Sequence, residues 1–113
     1  MGIKKIKPLI DLYVKELKKT INLNKVIVFG SYAKGCANKE SDVDFLVVSD
    51  DFKKISSDKR WSLLMKARLN PQITQVAIDS FGITPEEYKN ASTLTTLGEA
   101  KETGITVYPS FEI

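Results

Sequence analysis

The chain has 113 residues, 42% of them apolar and 27% charged, and 17 basic against 14 acidic side chains leave a net charge of +3. That is the composition of one ordinary globular domain, too weakly basic for a dedicated nucleic-acid binder. Histidine is absent, which removes the usual zinc sites and every Ser-His or Cys-His catalytic scheme.

Pro8 suits the first turn of a helix. Beyond it Leu9, Ile10, Tyr13, Val14, Leu17 and Ile21 recur at three- and four-residue spacing among lysines, which predicts an amphipathic helix over about 8–20 with an ordinary core-facing stripe. The N-terminus lacks the apolar run of a signal peptide, and no stretch approaches the ~20 apolar residues of a membrane span. The expectation is a cytoplasmic protein.

The next stretch organises the rest. Lys25 to Phe29 is an apolar, β-branched run stopped by Gly30-Ser31, the pattern of a buried strand. Gly30 allows a tight turn and close approach of a ligand. If Ser31 opens a short helix at Tyr32 to Lys34, its backbone N–H groups and hydroxyl form an anion cradle, to which Lys34 adds a mobile positive charge. Cys36 to Ser41 is polar and loop-like. The lone Cys36 permits no internal disulfide and reads as an incidental thiol in a reducing compartment. A second strand runs from Asp42 or Val43 to about Ser49. Residues two apart share a strand face, so Asp42 and Asp44 project together while Val43 and Phe45 face the core. Paired carboxylates repel unless a cation lies between them, and magnesium is the usual solution. A phosphate cradle facing a carboxylate pair is the layout of metal-assisted phosphoryl transfer.

Asp50 and Asp51 fall in an exposed connection. Ser57 or Asp58 can cap a helix ending before Asn70-Pro71; its Trp61 and Met65 are expected to pack on the sheet, and Arg60, Lys66 and Arg68 to form a solvated face. Within the segment Ile73 to Ile83, Gln75 to Ile83 reads as a third strand with Asp79 embedded in it. A carboxylate there is expensive unless it faces water, pairs with a lysine or binds metal. Thr84-Pro85-Glu86-Glu87 combines an N-cap, a proline at the first helical position and acidic residues in the first turn. A last helix over about Leu94 to Thr103 ends at Gly104, and Ile105 to Tyr108 forms a closing strand. This mixture of helices and strands predicts an α/β (α+β) fold, a small mixed sheet with helices packed on it.

Gly30-Ser31, followed eleven residues after Ser31 by Asp42-Val43-Asp44, resembles the signature of the polymerase-β nucleotidyltransferase superfamily, and the flanking residues resemble its minimal nucleotidyltransferases from about Lys25 to Tyr108. The family usually has arginine at the position of Lys34, and lysine lacks arginine's bidentate fork. The resemblance implies one nucleotidyltransferase domain over 1–113, with the catalytic core at about 25–108. It implies Asp79 as a third acid beside Asp42 and Asp44, the three holding two magnesium ions, and Gly30, Ser31 and Lys34 gripping the phosphates of ATP or another nucleoside triphosphate. It further implies transfer of AMP to a hydroxyl, and a HEPN-type helical partner in a toxin–antitoxin pair. Two alternatives stay open: an inactive nucleotide-binding or antitoxin module, and a transferase acting on a small molecule or an RNA end.

Overall fold

A computed structural model of the chain describes residues 2–38, 40–91 and 96–111. A single 3₁₀ turn, Ile3–Ile6, leads into α1 (Lys7–Thr20), with Pro8 in its first turn. Then follow β1 (Lys25–Phe29), the one-turn helix α2 (Ser31–Lys34), β2 (Val43–Val48), α3 (Ser57–Ala67), the short α4 (Pro71–Thr74), β3 (Ile78–Ile83), α5 (Pro85–Lys89), α6 (Thr96–Thr103) and β4 (Ile105–Tyr108). Among the described residues the strands form one four-stranded sheet in the order β3-β2-β1-β4. β1 is antiparallel to both β2 and β4, whereas β2 and β3 are parallel. A parallel pair needs a crossover, and α3 with α4 provides it.

The two sheet faces are unequal. Val26, Val28, Val43, Phe45, Val47 and Ile78 pack with Ile10, Tyr13 and Leu17 of α1 and Leu64 and Ala67 of α3 in the larger core. Tyr13 is buried there, its ring 4.7 Å from that of Phe45, and its hydroxyl shares a 2.6 Å hydrogen bond with Ser80. The alternate residues Ile27, Phe29, Leu46, Val48 and Ile83 face a smaller cluster closed by Ala100 of α6. That second face is incompletely covered, and the sequence places Asp44 and Asp79 on it.

Four expectations need correction. The third strand begins at Ile78, not at Gln75. Asn70 instead caps α4 by accepting from the Gln72 N–H at 2.9 Å, with Pro71 at its start, so 71–74 turn once as helix before the chain extends. Ser56 caps α3 rather than Ser57 or Asp58. On α3, Trp61 does not pack on the sheet: it is 61% exposed. Arg60 and Arg68 are half-buried rather than solvated; Arg60 donates to the Gly82 carbonyl at 3.2 Å and to Glu87 at 2.7 Å. Lys66 is exposed as expected. Asp50 and Asp51 are exposed but fasten the loop after α1: Asp51 accepts from the Asn22 N–H and Asp50 from the Asn24 side chain. Helix α6 starts at Thr96; the expected start at Leu94 lies outside the described residues.

Candidate active site

Register assembles the site. Phe29 of β1 stands opposite Asp44 of β2, and Asp44 stands opposite Asp79 of β3. Neighbouring residues in register share a sheet face, so the two aspartates lie side by side at the open end of the smaller face. Asp44 is half-buried and Asp79 exposed. Asp42 precedes β2 by one residue and is exposed. Burial pushes the Asp44 carboxyl above the usual carboxylate range, and the charges of Asp79, Asp42 and Glu99 push it the same way.

Gly30 follows Phe29 and turns the chain at φ +75°, ψ −148° into α2. A Cβ built on Gly30 would lie 2.3 Å from Oδ2 of Asp44. The glycine is required twice, by the backbone angle and by the carboxylate occupying the place of a side chain. Gly35, also at positive φ, closes the turn. Ser31 is half-buried at the start of α2, within the same bend as Gly30 and separated from Asp79 by β2.

Lys34 is not free. Its Nζ pairs with Oε1 of Glu99 on α6 at 2.5 Å, and that hydrogen bond raises the lysine's pKa. Glu99 was not singled out by sequence reasoning, because a glutamate within a Gly-Glu-Ala-Lys run looks like any solvated helix residue. Only the packing of α6 onto β1, through Ala100 beside Ile27, carries it to the site.

Oxygen-rich carboxylates at a half-open sheet edge suit a hard divalent cation, and the mutual repulsion around Asp44 is what such an ion relieves. As placed, no three acids among the described residues are gathered closely enough to hold one ion; Asp44 and Asp79 are the pair in register. A cavity of about 190 Å³ opens beside Asp79, walled by Trp61, Leu64, Met65, Arg68 and Phe81. No helix among the described residues is long and apolar enough to cross a membrane.

A small mixed sheet with a glycine-serine bend over a strand-borne carboxylate pair defines a class, and the comparisons agree with it. Residues 10–93 match the nucleotidyltransferase domain family, and the chain belongs to that family. It is 38% identical over 57 residues to the protein adenylyltransferase MntA of Thermococcus cleftensis, a match covering 50% of this chain and 54% of that one. A Methanocaldococcus jannaschii protein with a provisional protein-adenylyltransferase name is 36% identical over 78 residues, covering 58% of this chain and 79% of its own. The chain thus spans about half the length of the first of these relatives. Among solved structures, a Sulfolobus solfataricus chain described provisionally as a nucleotidyltransferase superposes with a TM-score of 0.69 at 18% identity, over 96% of this chain and 87% of its own. A toxin–antitoxin complex with AMP-PNP superposes with a TM-score of 0.63 at 23% identity, over 87% of this chain and 71% of its own. The fold is the nucleotidyltransferase fold, as the sequence pattern predicts.

Proposed function

We propose that the protein is a nucleotidyltransferase acting as a single catalytic domain, which moves AMP from ATP to a hydroxyl on a protein acceptor. The observation that carries this reading is the register of Asp44 with Asp79 beneath the Gly30 bend. Asp42, Asp44 and Asp79 would hold two magnesium ions, which when bound neutralise the polyphosphate and acidify the acceptor hydroxyl. The bend of Gly30 and Ser31 offers backbone N–H groups and a hydroxyl to the terminal phosphates, and Lys34 adds charge once released from Glu99. Asp79, on the outer strand and open to solvent, would take the acceptor's proton. The acceptor oxygen then bonds to the α-phosphorus as its bond to the pyrophosphate oxygen breaks. Positioning and charge neutralisation supply most of the acceleration in such a site.

The acceptor is read from the relatives. Curated proteins of this family carry protein-adenylyltransferase names, and a structural neighbour is a toxin–antitoxin complex. The proposed partner is a helical protein in a toxin–antitoxin pair, of the HEPN type that the sequence resemblance implies, in the cytoplasm, where Cys36 remains a free thiol. The test is incubation with α-labelled ATP, magnesium and the protein encoded next to this one. Label on that neighbour, lost with Asp44→Asn, is expected. Label on RNA or on a small molecule redirects the acceptor, and tight ATP binding without transfer identifies a nucleotide-binding module.

A further inference from the structure

Lys34 and Glu99 come from separate elements, α2 and α6, and meet directly at the mouth of the site, both side chains about half exposed (49% and 41%). Lys34 is the cation on the bend that starts at Gly30, and Glu99 is near enough to Asp44 to act on its charge. Helix α6 is seated firmly: Ala100 is buried against β1, and a Cβ on Gly104 would strike the Ala100 carbonyl and Ile27. The helix that carries Glu99 is thus seated by packing that does not involve Lys34. With Asp42, Asp44 and Asp79 already crowding the site, a further carboxylate disfavours an incoming polyanion unless it serves a purpose there.

We infer that Glu99 is a stand-in for phosphate: its carboxylate holds Lys34 in reserve until a nucleoside triphosphate takes its place, so that breaking this pair costs a polyphosphate more than a monophosphate and Glu99 moderates the site's preference between them. The inference rests on the nucleotide reading above. A triphosphate brings several charges to Lys34 and displaces one carboxylate, whereas a monophosphate brings too little charge to compete. Glu99 is a specificity-determining residue that touches no reacting atom.

The experiment is a double-mutant cycle on binding, with wild type, Glu99→Gln, Lys34→Met and the double variant titrated calorimetrically with AMP-PNP and with AMP in magnesium. Both sites are half exposed, and circular dichroism checks that each variant folds. An exposed ion pair is worth at most about 1 kcal/mol, so Glu99→Gln is expected to tighten AMP-PNP binding about two- to five-fold, to change AMP binding less, and to lose its effect when Lys34 is already methionine. High salt should shrink the gain. An unchanged or weaker AMP-PNP affinity in Glu99→Gln overturns the inference while leaving the nucleotide reading intact. So does a gain that persists in full without Lys34, which marks general repulsion. Failure of wild type to bind AMP-PNP removes the nucleotide reading and this inference together.

Discussion

Asp44 is the residue on which the site turns, because among the described residues it is the one acid that is both half-buried and surrounded by like charge. Its raised pKa has a definite sign in stability. An acid whose folded pKa lies above its unfolded value binds more protons when folded, so stability falls as pH rises through that window and the ionised form opposes folding at neutral pH. Asp44→Asn is therefore expected to raise the melting temperature of the metal-free protein at pH 7 while abolishing transfer. Magnesium should raise the melting temperature of wild type more than that of the variant. Differential scanning calorimetry with and without the metal checks both. Gly30→Ala should go the other way: a Cβ at positive φ and 2.3 Å from the Asp44 carboxylate is expected to lower stability by more than about 1 kcal/mol and to reduce activity, read by urea unfolding and by label transfer.

At the scale of elements, α5 is the best-defined local unit. Thr84 accepts from the Glu87 N–H at 3.1 Å and Glu87 accepts from the Thr84 N–H at 2.8 Å, a capping box that satisfies two donors reciprocally. The Thr84 N–H, with Arg60 assisting, holds Glu87 below the usual carboxylate range. Its stabilising effect is therefore complete above the unfolded carboxylate pKa and lost as pH falls through the lowered folded value. Thr84→Ala is expected to destabilise the protein by about 1 kcal/mol, and Glu87→Ala to flatten the loss of stability on acidification, both measured by denaturant unfolding at pH 7 and pH 3. This unit was legible from Thr84-Pro85-Glu86-Glu87 alone because every signal in it is local. So were β1, whose bounds match the expectation, and the Gly30-Ser31 bend. What could not be read depends on contacts distant in sequence. The α4 turn ahead of β3 rests on an Asn70 cap, whereas Asn70-Pro71 reads in the sequence only as the end of the preceding helix. The burial of Arg60 depends on Glu87 and Gly82, more than twenty positions away. Asp79 was placed among three open alternatives, and only strand pairing puts it beside Asp44. Glu99 carried no signal in sequence because its importance comes from where α6 lands.

As a whole molecule the chain couples both faces of one sheet, with a Cα radius of gyration of 13.1 Å, and a domain of this size is expected to unfold in a single cooperative transition. A nucleotide that binds only the folded state should then add about 2.7 kcal/mol of stability at a concentration 100 times its Kd; AMP-PNP with magnesium should move the entire transition upward, and by less in Asp44→Asn. That measurement needs no acceptor. A convenient reporter is already built in. The chain has one tryptophan, and Trp61 walls the cavity that contains Asp79. Its emission should shift to the blue when a ligand fills that space and excludes solvent from the indole, while occupancy of the Gly30 bend, on the far side of β2, should leave the spectrum nearly unchanged. Occupancy of the two places can therefore be followed separately in one cuvette without any label.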